Sequence, residues 1–82
     1  MSSTINYVVD HIDRIERRHA GKESLILNSK WRIASFLDLI PDLSPDGTLT
    51  PEQLVKVDAY IARFKSTPAG KEAIAQYQRR AA

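Results

Sequence analysis

The chain has 82 residues, of which 43% are hydrophobic and 27% are charged, and its formal net charge is +2. These values are ordinary for a globular protein, and the length allows one domain at most, so we expect a single domain over residues 1–82. The absence of cysteine excludes a disulfide framework, thiolate metal sites and cysteine nucleophiles. We expect a cytoplasmic protein without a membrane segment, since no apolar run reaches about 20 residues and no secretory signal is visible.

The first predicted helix covers residues 4–19. Apolar side chains recur there at intervals of three and four positions, which is typical of one buried helix face. Asp10 and Asp13 each stand four positions before an arginine, the spacing of a stabilising ion pair on a helix. Gly21 follows, and glycine ends helices readily because it adopts a left-handed conformation at little cost.

The second predicted helix covers residues 25–40, with Pro41 expected to end it because the residue before a proline is disfavoured in helical geometry. One apolar face consists of Ile26, Ile33, Phe36, Leu37 and Ile40. A second face, roughly opposite, consists of Leu27, Trp31 and Ala34. A helix that is apolar on two sides is usually central in its domain or covered by a partner.

The third helix is predicted over residues 51–65 and the fourth over residues 68–80. Thr50 and Gln53 have the spacing of a capping box, with a proline at the first helical position between them. Together the segments predict an all-α fold, a compact bundle of four short helices. The predicted core consists of Ile12, Ile33, Leu37, Ile40, Leu54, Ile61, Phe64 and Ile74.

Residues 42–53 carry Asp42 and Asp46 at the first and fifth positions and Gly47 at the sixth, and in this the segment resembles an EF-hand calcium loop. The resemblance implies a degenerate calcium module. The twelfth position holds Gln53 where the EF-hand needs a bidentate glutamate. A tight Asp-Gly turn that leads into a capped helix accounts for the same residues, so we expect no bound metal.

One flank of the first helix carries Tyr7, His11, Arg14 and Arg18 at helical spacing. Arginines can follow a phosphate backbone while an aromatic ring stacks on a base. This flank is the candidate contact surface for a nucleic acid, and it supports our alternative hypothesis of a small nucleic-acid-binding or regulatory protein. The low net charge argues against strong binding, because affinity depends on the number of phosphates neutralised.

The leading hypothesis from the sequence is a small protein–protein interaction module, which acts as an adaptor, an inhibitor-type protein or a homo-oligomer. The chain lacks the usual catalytic motifs, so we expect no enzyme activity, no catalytic residue and no cofactor. The candidate interface is Leu27, Trp31 and Ala34, since tryptophan is enriched at the dominant positions of interfaces. The expected partner is another protein chain, either a different protein or a second copy.

Overall fold

Four α-helices make up most of the chain. The computed structural model describes residues 3–81, with side chains from 4 to 80, and no strand occurs in that range. The helices are α1 (Ser3–Asp13), α2 (Glu23–Leu37), α3 (Pro51–Ser66) and α4 (Pro68–Ala81). The predicted all-α fold of four short helices is therefore confirmed. None of the helices between residues 3 and 81 is both long enough and apolar enough to cross a membrane.

The helices contact one another in a closed cycle, in which α1 packs on α2, α2 on α3, α3 on α4, and α4 on α1. The Cα radius of gyration is 12.5 Å, close to the value of about 12 Å expected for a folded chain of this length. The apolar core at the centre of this cycle consists of Val8, Ile12, Ile33, Ala34, Ile40, Val57 and Ile61.

The predicted core is correct for four of its eight residues, and these four are fully buried: Ile12, Ile33, Ile40 and Ile61. The other four are only half-buried: Leu37, Leu54, Phe64 and Ile74. The reason is size, because a domain this small has a high surface-to-volume ratio and few side chains can be enclosed on all sides.

The helix α2 ends at Leu37, three residues earlier than predicted. Asp38 adopts the left-handed conformation, with φ of 59°. The N–H of Asp38 donates to Ser35 O (3.4 Å) and that of Leu39 donates to Ala34 O (3.0 Å), which is the bonding pattern of a Schellman motif. Because the helix stops before Pro41, the next residues leave its axis and Ile40 reaches the core from the loop.

The turn between α3 and α4 brings two helix ends into close contact at Gly70. The Thr67 side chain caps α4, because its Oγ1 accepts a hydrogen bond from Gly70 N at 2.9 Å. A Cβ atom built on Gly70 would lie 1.8 Å from the backbone oxygen of Phe64. Only glycine fits this approach, so Gly70 allows the start of α4 to lie close to the end of α3.

A π-helical turn, Arg14–Arg18, extends α1 and is absent from our sequence prediction. Its wider winding makes residues five apart neighbours, and His19 N donates to Arg14 O at 2.8 Å in this pattern. The side chain of Asp13 is consequently within reach of Arg17 Nε and of Arg18 Nε, each at 3.1 Å. The buried carboxylate of Asp13 is thus held by two guanidinium groups.

Candidate partner-binding surface on α2

The loop between α2 and α3 covers part of Trp31. The indole Nε1 donates a hydrogen bond to the backbone oxygen of Ser44 at 2.8 Å, and Pro41 and Pro45 line the shallow cavity beside the ring. Trp31 is half-buried as a result. The chain itself therefore supplies part of the cover that the sequence led us to expect from a partner or from another helix.

The other two residues of the predicted interface have different environments. Ala34 is 0% exposed and belongs to the core, so its place in an exposed interface is wrong. Its position is set by the rotation of α2 about its own axis, which turns Ala34 towards the neighbouring helices. Leu27 is 38% exposed and remains, with the outer edge of Trp31, on the surface.

The two aspartates of residues 42–53, Asp42 and Asp46, are engaged by hydrogen bonds within that segment. Asp46 Oδ1 accepts from Thr48 Oγ1 (2.6 Å), Thr48 N (3.0 Å) and Ser44 Oγ (2.7 Å). These bonds, with that from the Thr48 side chain the largest, hold the pKa of Asp46 below its usual value. Gln53 Nε2 donates to Asp42 Oδ1 at 3.4 Å. Among the described residues, no three histidine, aspartate or glutamate side chains are grouped as metal ligands.

The aromatic half of the predicted nucleic-acid strip packs against α2. The ring centroid of Tyr7 lies 4.6 Å from that of His11 and 4.0 Å from that of Phe36, with the Tyr7 and Phe36 planes 18° apart. His11 is only 6% exposed. Tyr7 is therefore already stacked on a protein ring, and the buried His11 is largely inaccessible to a ligand outside the protein.

The arginine half of the strip is neutralised by nearby carboxylates. Arg14 Nε lies 2.9 Å from Asp10 and Arg18 Nε lies 3.1 Å from Asp13. Tyr77 of α4 joins the two pairs, since its hydroxyl donates to Asp10 at 2.6 Å and accepts from Arg18 at 3.1 Å. Burial raises the pKa of Asp10, but the Tyr77 hydrogen bond and the Arg14 charge outweigh it and leave that pKa below its usual value. This cluster ties α1 to α4.

A different surface combines exposed apolar side chains with an arginine. We name Tyr7, Leu25, Arg32 and Phe36 the aromatic–arginine face; at about 100° per residue the three α2 members fall within about 40° of one another. Phe36 is 49% exposed and Leu25 is 42% exposed, so Phe36 does not share the burial of Ile33 and Ile40, with which it was placed on one apolar face. Arg32 Nε donates to Asn28 Oδ1 at 3.0 Å, and its guanidinium forms no ion pair with residues 3–81.

His11 lies beneath this face and supports it. Burial, and then the charge of Arg14, lower the pKa of His11; Arg32 adds to this effect and Asp10 opposes it. His11 Nδ1 is buried and has no hydrogen-bond partner among the described residues. The neutral imidazole is therefore the form that suits this position.

Comparison with models of known protein families, with curated proteins and with solved structures gives no match for this chain. A function for the surface can therefore be proposed only from the geometry of its residues.

The sequence analysis did not identify the aromatic–arginine face, because it placed Phe36 on the same apolar face as Ile33. The helical angle of Phe36 could have indicated its exposure. Phe36 lies about 60° from Ile33 around the helix, which is near the edge of the apolar face.

Proposed function

We propose that this protein is a non-enzymatic protein–protein interaction module that uses the exposed surface of α2. The observation that carries the proposal is the distribution of large exposed apolar side chains. Between residues 4 and 80 there are four of them: three belong to α2, namely Leu25, Leu27 and Phe36, and the fourth is Val55 on α3. The proposed place of action is the cytoplasm, since the fold uses no disulfide.

The energetic argument concerns apolar area left in water. Full burial of one large apolar side chain is worth about 1.5–3 kcal/mol, and each of the three on α2 has roughly half of that gain still to realise. They lie along a helix of 15 residues, which is about 22 Å long at 1.5 Å per residue. At about 100° per residue, Leu25 and Phe36 share one flank of the helix and Leu27 lies on the opposite flank. Each flank by itself suits a small or transient interface rather than an obligate one.

The alternative, nucleic-acid binding through α1, has weaker support. Arg14 and Arg18 each contact a carboxylate, and Tyr7 is packed against Phe36. Affinity for a phosphate backbone grows with the number of phosphates that the protein neutralises. Arginines that are already paired with carboxylates neutralise few phosphates, so protein binding remains the preferred proposal.

Site-specific photo-crosslinking in cells of the native host tests the proposed function. A photoreactive phenylalanine analogue replaces Asn28 or Ser35, which are exposed on α2, and in matched controls it replaces Lys56 or Ala59, which are exposed on α3. These positions leave the exposed apolar residues intact. We expect discrete protein adducts from α2 positions and none from α3 positions. Adducts from α3 alone, or adducts to nucleic acid, would contradict the proposal.

A further inference from the structure

We propose that the aromatic–arginine face binds a segment of another protein that places an apolar side chain against Phe36 and a carboxylate against Arg32. This inference rests on the proposed function and specifies the partner's chemistry. It concerns the flank of α2 that carries Leu25 and Phe36, not the flank that carries Leu27 and Trp31.

The apolar half of the site is packed within the chain before any partner arrives. Phe36 stacks on Tyr7, and Tyr7 also contacts the buried ring of His11. Even with this packing, 49% of Phe36 stays exposed. A partner side chain placed on it gains apolar contact without having to order a flexible ring, which reduces the entropic cost of binding. Aromatic residues and arginine are also enriched at interfaces.

The charged half of the site lies one helical turn away. Arg32 is four residues before Phe36, so both project from the same side of α2. The hydrogen bond to Asn28 uses Nε of Arg32, and this leaves the two terminal nitrogens for a carboxylate, which binds a guanidinium through paired hydrogen bonds. The neighbouring Arg14 is paired with Asp10. Arg32 therefore provides the unpaired positive charge of this face, and charge complementarity calls for an acidic group on the partner.

A second copy of the chain fits this face poorly. Antiparallel pairing of two α2 helices that sets Leu25 of one against Phe36 of the other brings the two Arg32 side chains within about 5 Å along the helix axis, at 1.5 Å per residue. Like charges at that separation repel. A nucleic acid also fits poorly, because one unpaired cation neutralises few phosphates. A different protein with an acidic residue beside an apolar one remains the best match.

Peptide display against the purified full chain tests this chemistry. The probe is a phage-displayed library of 12-residue random peptides, selected in parallel on wild type and on Arg32→Glu. We expect wild type to enrich peptides with Asp or Glu within four positions of Leu, Phe or Trp, and Arg32→Glu to enrich Lys or Arg in place of the acid. Synthetic peptides from the wild-type selection should bind Phe36→Ala at least tenfold more weakly.

Val55→Ala is the matched control, since it removes an exposed apolar side chain from α3 and should change peptide affinity less than twofold. Arg32→Gln leaves the stacking of Phe36 on Tyr7 intact and should also weaken peptide binding. This second variant keeps the inference testable if Phe36→Ala displaces Tyr7. The inference is overturned if both selections yield the same charge, if no acidic sequence is enriched, or if the peptides bind Phe36→Ala normally.

Two other occupants are tested on the same protein. A 20-nucleotide oligo-dT that binds more tightly than the peptides and is lost in Phe36→Ala would assign the face to nucleic acid. A dimer in light scattering that Phe36→Ala dissociates would assign it to self-association. If crosslinking from α2 succeeds while the charge exchange fails, the inference falls and the proposed function stands. If α2 yields no protein adducts, the proposed function falls as well.

Discussion

The indole Nε1 of Trp31 donates a hydrogen bond to the backbone oxygen of Ser44, 2.8 Å away, and this bond fastens the α2–α3 loop to α2. Ile40, near the start of the loop, lies in the core, and Leu39 and Leu43 pack against that core. Trp31 thus contributes to the fold from within the chain, while Leu27 beside it remains available to a partner.

Replacing Trp31 by Phe keeps an aromatic ring and removes the donor. We expect a loss of about 1 kcal/mol in the free energy of unfolding, the usual net value of one hydrogen bond, measured by urea denaturation with circular dichroism. Ser35→Ala, on the exposed side of the same helix, should stay within about 0.5 kcal/mol of wild type. Equal stability of Trp31→Phe and wild type would show that the bond to Ser44 does not hold the loop.

Gly70→Ala tests the close approach of α4 to the end of α3. The new Cβ would lie 1.8 Å from Phe64 O, a backbone atom that moves only if the turn moves. We expect a net loss of about 1–3 kcal/mol, as for other overpacked sites, although alanine favours helices more than glycine does. Thermal denaturation measures it. Ala69→Ser, an exposed change in the same turn, is the control and should have little effect.

Asp38→Gly should stabilise the protein. Asp38 ends α2 with φ of 59°, a conformation that strains most residues and that glycine adopts freely. We expect a gain of about 0.5–1 kcal/mol, measured by urea denaturation, partly offset by the greater freedom of glycine in the unfolded chain. Asp38→Ala removes the same charge, but alanine does not adopt the left-handed conformation freely. We therefore expect Asp38→Ala to destabilise the protein. The argument fails if both variants change stability in the same direction.

Tyr77→Phe tests the link between α4 and α1 and its dependence on pH. The variant loses the hydrogen bond to Asp10, for an expected cost of about 1–2 kcal/mol at pH 7. The folded-state pKa of Asp10 is lowered from 3.8, so its contribution is present above that pH and is lost as pH falls through the lowered value. The gap between variant and wild type, measured by urea denaturation, should therefore narrow as pH falls below 3.8. A gap that widens in acid would contradict this account.

The titration of His11 should make the free energy of unfolding depend on pH in a second range, at higher pH than the titration of Asp10. The folded-state pKa of His11 is lowered from 6.5, first by burial and then by Arg14, so stability is present above pH 6.5 and is lost as pH falls through the lowered value. We expect the unfolding free energy of wild type to decline as pH falls below 6.5, and His11→Gln to flatten that decline. His19→Gln keeps His11 and should retain it. A decline that persists unchanged in His11→Gln would rule out His11 as its source.

The sequence by itself determined the features that depend on neighbours within a few residues. Helical periodicity located the four helices, and the capping box at Thr50 and Gln53 marked the start of α3. The ion pairs that Asp10 and Asp13 form with arginines four positions later are present, and Gly21 has a positive φ of 81°. Each follows from contacts spanning one helical turn, which the order of residues specifies directly.

Tertiary structure alone decided which side of α2 faces the core. The sequence offers two apolar faces, and how much of each becomes buried depends on what α1, α3 and the loop place against the helix. That packing buries Ile33 from one face and Ala34 from the other, and it leaves Phe36 half exposed, where it stacks on Tyr7, 29 residues earlier in the chain. The Tyr77–Asp10 bond joins residues 67 apart. Contacts of such separation arise only when whole helices have packed, because burial of apolar area, rather than local propensity, sets their mutual orientation.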